Sequence, residues 1–230
     1  MLLGSLDLVH VGRPPTKRSD SEPPMLILLH GIGSDEKDLF ALAGSLDPRF
    51  HVLGARGPFA LAPGRFGWWE AQFSVSGTRI RPNQAEESRQ KLIRFIDQAV
   101  RHYRTDPRRV FLLGFSQGAT LSLAMALTRP DLLCGVAAIA GRLPDELYAS
   151  TGPLAGKLAA PEALAKLPLF MAHGTEDTVV EIQEGREARD RLMQRKMMPT
   201  FREYPMGHSI APACLADLST WLTARLDVSH

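Results

Sequence analysis

Cysteine is nearly missing: the 230 residues contain two, Cys134 and Cys214. Two thiols cannot build a disulfide framework, so a small stapled extracellular module is excluded. Cys134 opens the apolar run Gly135-Val136-Ala137-Ala138-Ile139 and reads as a small buried hydrophobe. No apolar run approaches the ~20 residues that cross a bilayer, so stable membrane insertion is not expected. The opening Met1-Leu2-Leu3-Gly4-Ser5-Leu6-Asp7 lacks the basic and long apolar regions of a secretory leader. A reduced cytoplasm is the expected compartment. Blocks of like charge are absent too. Lys and Arg number 27 against 25 Asp and Glu, a net charge of +2. Arg186, Arg189, Arg191, Arg195 and Lys196 alternate with Glu184, Glu187 and Asp190, which describes a solvated helix face and not a nucleic-acid groove.

What the chain has is core-forming material in ordinary proportion, 44% hydrophobic and 23% charged, enough for one α/β domain over residues 1–230. Neither an internal repeat nor a dividing linker interrupts it. The runs Met25–His30, Val110–Phe115, Cys134–Ala140 and Leu167–His173 are almost continuously apolar. Strands covered by helices on both faces have this composition, because neither face meets water. Leu6–Val11, Phe201–Tyr204 and the weaker Val52–Ala55 belong nearer the sheet edges. Between them, Asn83 with Glu86 forms a capping signal ahead of Leu92, Phe95, Ile96, Ala99 and Tyr103 at helical spacing. A second helix starts after Ser116 and carries Leu121, Ala124 and Met125 toward Pro130. A polar helix spans about Glu181 to Met197, and a last one runs from about Pro212 to Leu226. This alternation predicts a mostly parallel sheet with helices on both faces and a crevice at the carboxyl ends of the strands. Gly57–Pro82 and Arg142–Pro161 read as long loops, of the kind that serve as lids or binding loops.

Gly114-Phe115-Ser116-Gln117-Gly118 is the one G-x-S-x-G in the chain. It lies between a predicted strand and a predicted helix, the context of a nucleophile elbow in the α/β-hydrolase fold. The bland alternative is a Gly-Ser helix start acting as a plain cap. A serine nucleophile needs a base, and the base needs a carboxylate to orient it. In this fold the acid and then the histidine follow the serine. Asp177 lies just past the strand ending near His173, with Glu176 beside it as a rival that periodicity cannot separate. His208 lies just past the strand around Phe201–Tyr204. His10, His51 and His102 precede the serine and read as surface or filler, His173 precedes the acid and reads as structural, and His230 is terminal. His30-Gly31-Ile32-Gly33-Ser34 is a glycine-rich turn whose Ile32 N–H is the candidate to pair with that of Gln117 as an oxyanion hole; the bland alternative is a plain glycine turn. A dinucleotide loop there would need a G-x-G-x-x-G, which is missing. Phe59, Leu61, Phe66, Trp68, Trp69 and Phe73 crowd one stretch. They either pack on the core or, with Phe66, Trp68 and Trp69 foremost, line an acyl pocket.

Gly114–Gly118, preceded by Leu29-His30-Gly31-Ile32-Gly33, resembles the phospholipase/carboxylesterase family of small serine esterases, which includes acyl-protein thioesterases. Ile139–Pro144, His173–Val180 and Gly207-His208-Ser209-Ile210 extend the likeness across positions 29 to 210. The turn Ile32-Gly33-Ser34 and Ala119 depart from the thioesterase branch, which has H-G-L-G-D and a glycine at those points. The resemblance implies Ser116 as nucleophile, Asp177 rather than Glu176 as its partner acid, His208 as base, and Ile32 and Gln117 N–H as oxyanion donors. It also implies an enzyme without metal or cofactor that is cytoplasmic, often a homodimer, and acts on a small-molecule carboxylic ester, thioester or lysophospholipid. Perhydrolase chemistry uses the same triad. The contrasting class is a catalytically silent small-molecule binding protein on the same fold, for which a missing triad member would be the sign; all three are present.

Overall fold

The computed structural model describes residues 6–17, 21–74, 77–148 and 152–227. Residues 1–5, His230 and the side chain of Phe73 lie outside that description, as do the other side chains of 72–79 and that of Tyr148. The strands are β1 (His10–Arg13), β2 (Met25–Leu29), β3 (His51–Ala55), β4 (Phe59–Ala62), β5 (Arg65–Gly67), β6 (Gln72–Ser74), β7 (Gly77–Arg79), β8 (Val110–Phe115), β9 (Gly135–Ile139), β10 (Leu169–Gly174) and β11 (Thr200–Tyr204). The α-helices are α1 (Pro82–Tyr103), α2 (Gln117–Thr128), α3 (Asp145–Tyr148), α4 (Pro161–Leu164), α5 (Ile182–Gln194) and α6 (Pro212–Leu226), and a 3-10 helix covers Leu39–Ser45. None of the described helices is long and apolar enough to cross a membrane.

Seven strands form one sheet in the order β1-β3-β2-β8-β9-β10-β11. Only β1 runs antiparallel, against β3; every other pairing is parallel. This is the α/β-hydrolase arrangement, with the apolar strands inside and the more polar β1 and β11 at the edges. The reason is visible in β2. Met25, Ile27 and Leu29 join one buried cluster with α1, α2 and α5, while Leu26 and Leu28 join a second with α6 and the 3-10 helix. A strand with no wet face has no use for polar residues. The same holds for α2, which is buried from Gln117 to Thr128 and accordingly apolar nearly all round. Ser122 and Thr128 are tolerated there because their hydroxyls donate to the carbonyls of Gly118 and Ala124.

Several sequence expectations shift. Helix α1 starts at Pro82 with Arg81 at its cap, not Asn83. Proline suits the first helical position because its φ is already helical and its missing N–H would be unsatisfied anyway. The first strand is His10–Arg13 rather than Leu6–Val11, since pairing of His10 with Ala55 sets its register and Leu8 is drawn into the core. Gly57–Pro82 is not plain loop. It folds into the hairpins β4–β5 and β6–β7, whose strands of three or four residues are too short to show periodicity. The first turns at Pro63-Gly64, where Gly64 takes φ +70°. Arg142–Pro161 holds the short α3, and Pro161 opens α4. Helix α5 spans Ile182–Gln194 and is not fully exposed: Gly185, Ala188 and Leu192 are buried. Cys134 is only half-buried, whereas Cys214 is fully buried on α6.

Glu86 fastens α1 to its surroundings. Its carboxylate accepts hydrogen bonds from Arg89, Gln90 and Lys157, and the buried Arg89 guanidinium also donates to Thr128 of α2. Burial pushes the Glu86 carboxyl up, but its donors, Arg89 first, outweigh that and hold it at about 2 against the ordinary 4.5. A carboxylate held low contributes stability in full above the unfolded value and loses it as pH falls toward the folded value. Glu86→Gln is therefore expected to cost about 2 kcal/mol at pH 7. Urea unfolding of the two proteins should converge as pH is lowered from about 4.5 toward 2. A constant difference across that window would contradict the assignment.

Candidate active site

The crevice is built from turns that leave the carboxyl ends of the parallel strands. At the end of β8 the chain reverses into α2 within one residue. Ser116 takes φ 52° and ψ −113°, a conformation that side chains rarely adopt. Its amide donates to the Ile139 carbonyl (2.9 Å), and its carbonyl accepts from Thr120 N–H (3.0 Å). The turn is squeezed against β2. A β-carbon at Gly118 would lie 2.0 Å from the Leu29 carbonyl oxygen, and one at Gly114 would lie 2.3 Å from that of Gly118. Only glycine fits at either place.

His208 follows β11 and meets this serine. The Ser116 hydroxyl donates to His208 Nε2 across 2.9 Å, and His208 Nδ1–H donates to Asp177 Oδ2 across 2.7 Å. Because Nδ1 faces a carboxylate, it carries the proton and Nε2 is left as acceptor. The Asp177 side chain is wholly buried; its other oxygen accepts the amides of Val179 and Val180, each at 2.9 Å. Glu176, the rival acid, is exposed, and the carboxylate bonded to His208 is that of Asp177. His173 holds the acid's turn from behind, its Nε2–H donating to the Val180 carbonyl (2.8 Å). The ring of Phe115 packs against that of His208, centroids 4.8 Å apart. The structure thus brings Ser116, His208 and Asp177 together. His173 is structural, as its place before the acid indicated. Sequence reasoning missed Val179, Val180 and Phe115 as supports; the short spacing Asp177-Thr178-Val179-Val180, an aspartate bonding backbone amides just ahead of it, was the available signal.

The turn after β2 passes beside the serine, since a β-carbon at Gly31 would lie 3.5 Å from that of Ser116. Neither the Ile32 nor the Gln117 N–H has an acceptor among the described residues. The amide of Gln117 is free for the same reason as any helix N-terminus. Buried His30 anchors the turn: Nδ1–H donates to the Gly31 carbonyl and Nε2 accepts from Gly57 N–H. Burial lowers its pKa, which suits a neutral ring in that bonding pattern.

Phe66, Trp68 and Trp69 lie close by, but the two tryptophans are core. Trp68 is 0% exposed and Trp69 3%. Trp68 Nε1–H donates to the His30 carbonyl, and the Phe66 ring lies under the Arg56 guanidinium. Of the two roles open to this stretch, packing is the one these two occupy. An open cavity of about 570 Å³ instead borders Ile32 and Gly33, with Ala60, Leu61 and Ala71 as apolar wall and the ion-paired Glu70 and Arg81 among its lining. Among the described residues no three His, Cys, Asp or Glu side chains gather as a metal site. Chemically, this is a hydroxyl with an oriented base beside unpaired amide donors, next to an apolar space.

The sequence matches the phospholipase/carboxylesterase family over residues 16–226. It is similar to the carboxylesterase SOBER1 of Arabidopsis thaliana, 32% identical over 158 residues, covering 68% of this chain and 65% of that protein. It is similar to acyl-protein thioesterase 1 of Neurospora crassa, 37% identical over 123 residues, covering 51% and 46%. Across the first few curated relatives the matched stretch spans from under half to just under two-thirds of their length. The fold resembles a Bacillus cereus carboxylesterase, TM-score 0.79 at 23% identity over 95% of this chain and 94% of that one. It also resembles the crystal structure of SOBER1, TM-score 0.74 at 27% identity over 89% and 100%.

The tight turn carries its own test. Gly118→Ala should destabilise the protein by about 3 kcal/mol or more in urea unfolding, because backbone cannot yield as a side chain would. An unaltered midpoint would mean that β2 and the turn are farther apart than described.

Proposed function

The chain belongs to the phospholipase/carboxylesterase family, and from that membership we propose that it hydrolyses carboxylic esters through an acyl-serine intermediate. The observation that carries this reading is the unbroken hydrogen-bonded line from the Ser116 hydroxyl through His208 to the buried Asp177 carboxylate. His208 Nε2 takes the hydroxyl proton as Ser116 Oγ bonds to the ester carbonyl carbon. Asp177 keeps the ring oriented and stabilises the imidazolium that forms. The negative charge on the tetrahedral oxygen falls to the Ile32 and Gln117 amides, whose partners are otherwise absent. Donors of this kind are worth about 2.7–4 kcal/mol each where measured in other hydrolases. As the intermediate collapses, the carbon–oxygen bond to the alcohol breaks and His208 returns the proton to it. Water, deprotonated by the same nitrogen, then releases the acid and restores the serine.

The cavity beside Ile32 and Gly33 supports an apolar acyl group of short to medium length, since its wall is small and aliphatic and its lining also carries an ion pair. Thioesters and lysophospholipids share the carbonyl chemistry and are the other substrates in reach of the same machinery.

A fluorophosphonate should label Ser116 stoichiometrically, located by mass spectrometry, and the protein should hydrolyse p-nitrophenyl butyrate. Wild-type protein that is neither labelled nor active would leave a binding role as the better reading. Ser116→Ala should lower kcat by about 10⁴–10⁶-fold. Asp177→Asn should cost on the order of 10⁴-fold, because an amide no longer enforces the tautomer that leaves Nε2 unprotonated. An Asp177→Asn enzyme within tenfold of wild type would remove that residue from the mechanism.

A further inference from the structure

We infer that the side chain of Gln117 is a positioning residue that sets the separation of the two oxyanion donors. This rests on the catalytic reading above and goes beyond it, because there Gln117 contributes only its backbone N–H. Ile32 lies three residues beyond the end of β2, and Gln117 two residues beyond the end of β8. The parallel pairing of β2 with β8 fixes the bases of these turns, ending at Leu29 opposite Gly114, but not their tips.

The tips are joined by another route. Gly33 N–H donates to the Phe66 carbonyl (2.8 Å) and Phe66 N–H donates to the Ser34 carbonyl (2.9 Å), which stitches the Ile32 turn onto β5. From β5 the chain runs directly into Trp68 and Trp69. There Trp68 N–H donates to Gln117 Oε1 (2.7 Å), and Gln117 Nε2–H donates to the Trp69 carbonyl (2.8 Å). The circuit closes on the residue whose own amide is the second donor. Its far side is braced at both ends of Trp68: the indole N–H donates to the His30 carbonyl, and the Ser88 hydroxyl donates to the Trp68 carbonyl. Gln117 is buried, so water does not compete for these bonds.

The primary amide is chemically matched to this place. It must accept from one backbone amide through Oε1 and donate to the next carbonyl through Nε2, which carboxylate and aliphatic side chains cannot do. Oxyanion donors act only near 2.7–3.1 Å from the developing charge, and displacements of about 0.5 Å already matter. A loosened circuit should therefore weaken binding of the transition state and leave binding of the ground state alone.

The test compares Gln117→Met, of similar bulk but with neither bond, and Gln117→Glu, which keeps the bond from Trp68 and loses the one to Trp69. With p-nitrophenyl butyrate, Gln117→Met should show kcat reduced about 10–100-fold, with KM within about twofold of wild type. Affinity for a butyl boronic acid, which mimics the tetrahedral intermediate, should fall by the same factor as kcat/KM. Labelling of Ser116 by fluorophosphonate should still reach completion, showing a folded and reactive site. Gln117→Glu should lose activity in the same pattern, and it carries the test should the methionine variant not fold. Unchanged kcat and boronate affinity would overturn the inference. A raised KM with kcat intact would do so as well, since it would place the side chain in substrate binding. If wild type itself neither reacts with the fluorophosphonate nor turns over the ester, the catalytic reading fails; an active wild type with indifferent Gln117 variants defeats this inference alone.

Discussion

The turn between β8 and α2 passes so close to the end of β2 that no atom larger than hydrogen fits between Gly118 and the Leu29 carbonyl. Beside that contact the chain reverses through Ser116 at positive φ, and the serine hydroxyl meets His208. The contact also brings the turn after β2 alongside the serine, so the bases of the two turns, though not their tips, are set by one approach of two backbones. Everything else in the crevice is fitted to this point. Parallel pairing through β9, β10 and β11 delivers Asp177 and His208 at strand ends on the same rim.

Around that rim, polar side chains do structural work while buried. Asp177 is held by two amides and an imidazole, His30 by a carbonyl and an amide, and Gln117 by the backbone of Trp68 and Trp69. In each, every polar side-chain atom has a hydrogen-bond partner. In a low-dielectric setting such satisfied networks hold geometry more firmly than loose packing would. Flexible loops thereby acquire positions as definite as those of the strands they leave.

The sheet and the grouping of Ser116, His208 and Asp177 were legible from the residues because both leave patterns that physics makes narrow. Continuous apolar runs such as Met25–Leu29 and Val110–Phe115 mean strands covered twice, and a glycine-flanked serine between strand and helix means an elbow. Asp177 and Glu176 could be separated only by family resemblance, and in space their burial and partners distinguish them. The hairpins within 57–82 were not legible, since strands of three or four residues show no period and their turns look like ordinary loop. Trp68 and Trp69 likewise gave no hint of depth. Aromatics in an irregular stretch fit a pocket or a core equally well until long-range bonds, here to His30 and Gln117, decide. The start of α1 was misjudged because a good cap, Asn83, lay beside a proline already suited to begin the helix.

The positive-φ backbone at Ser116 sets the proposed chemistry against durability. Strain of this sort costs on the order of 1–3 kcal/mol, whereas glycine would give up about 1 kcal/mol at most in chain entropy at the same place. Judged by folding alone, residue 116 ought to drift toward glycine, and a chain freed from any chemical task would gain by the exchange. Under the proposed mechanism the serine is thus a standing debit against the folded state, kept for its hydroxyl.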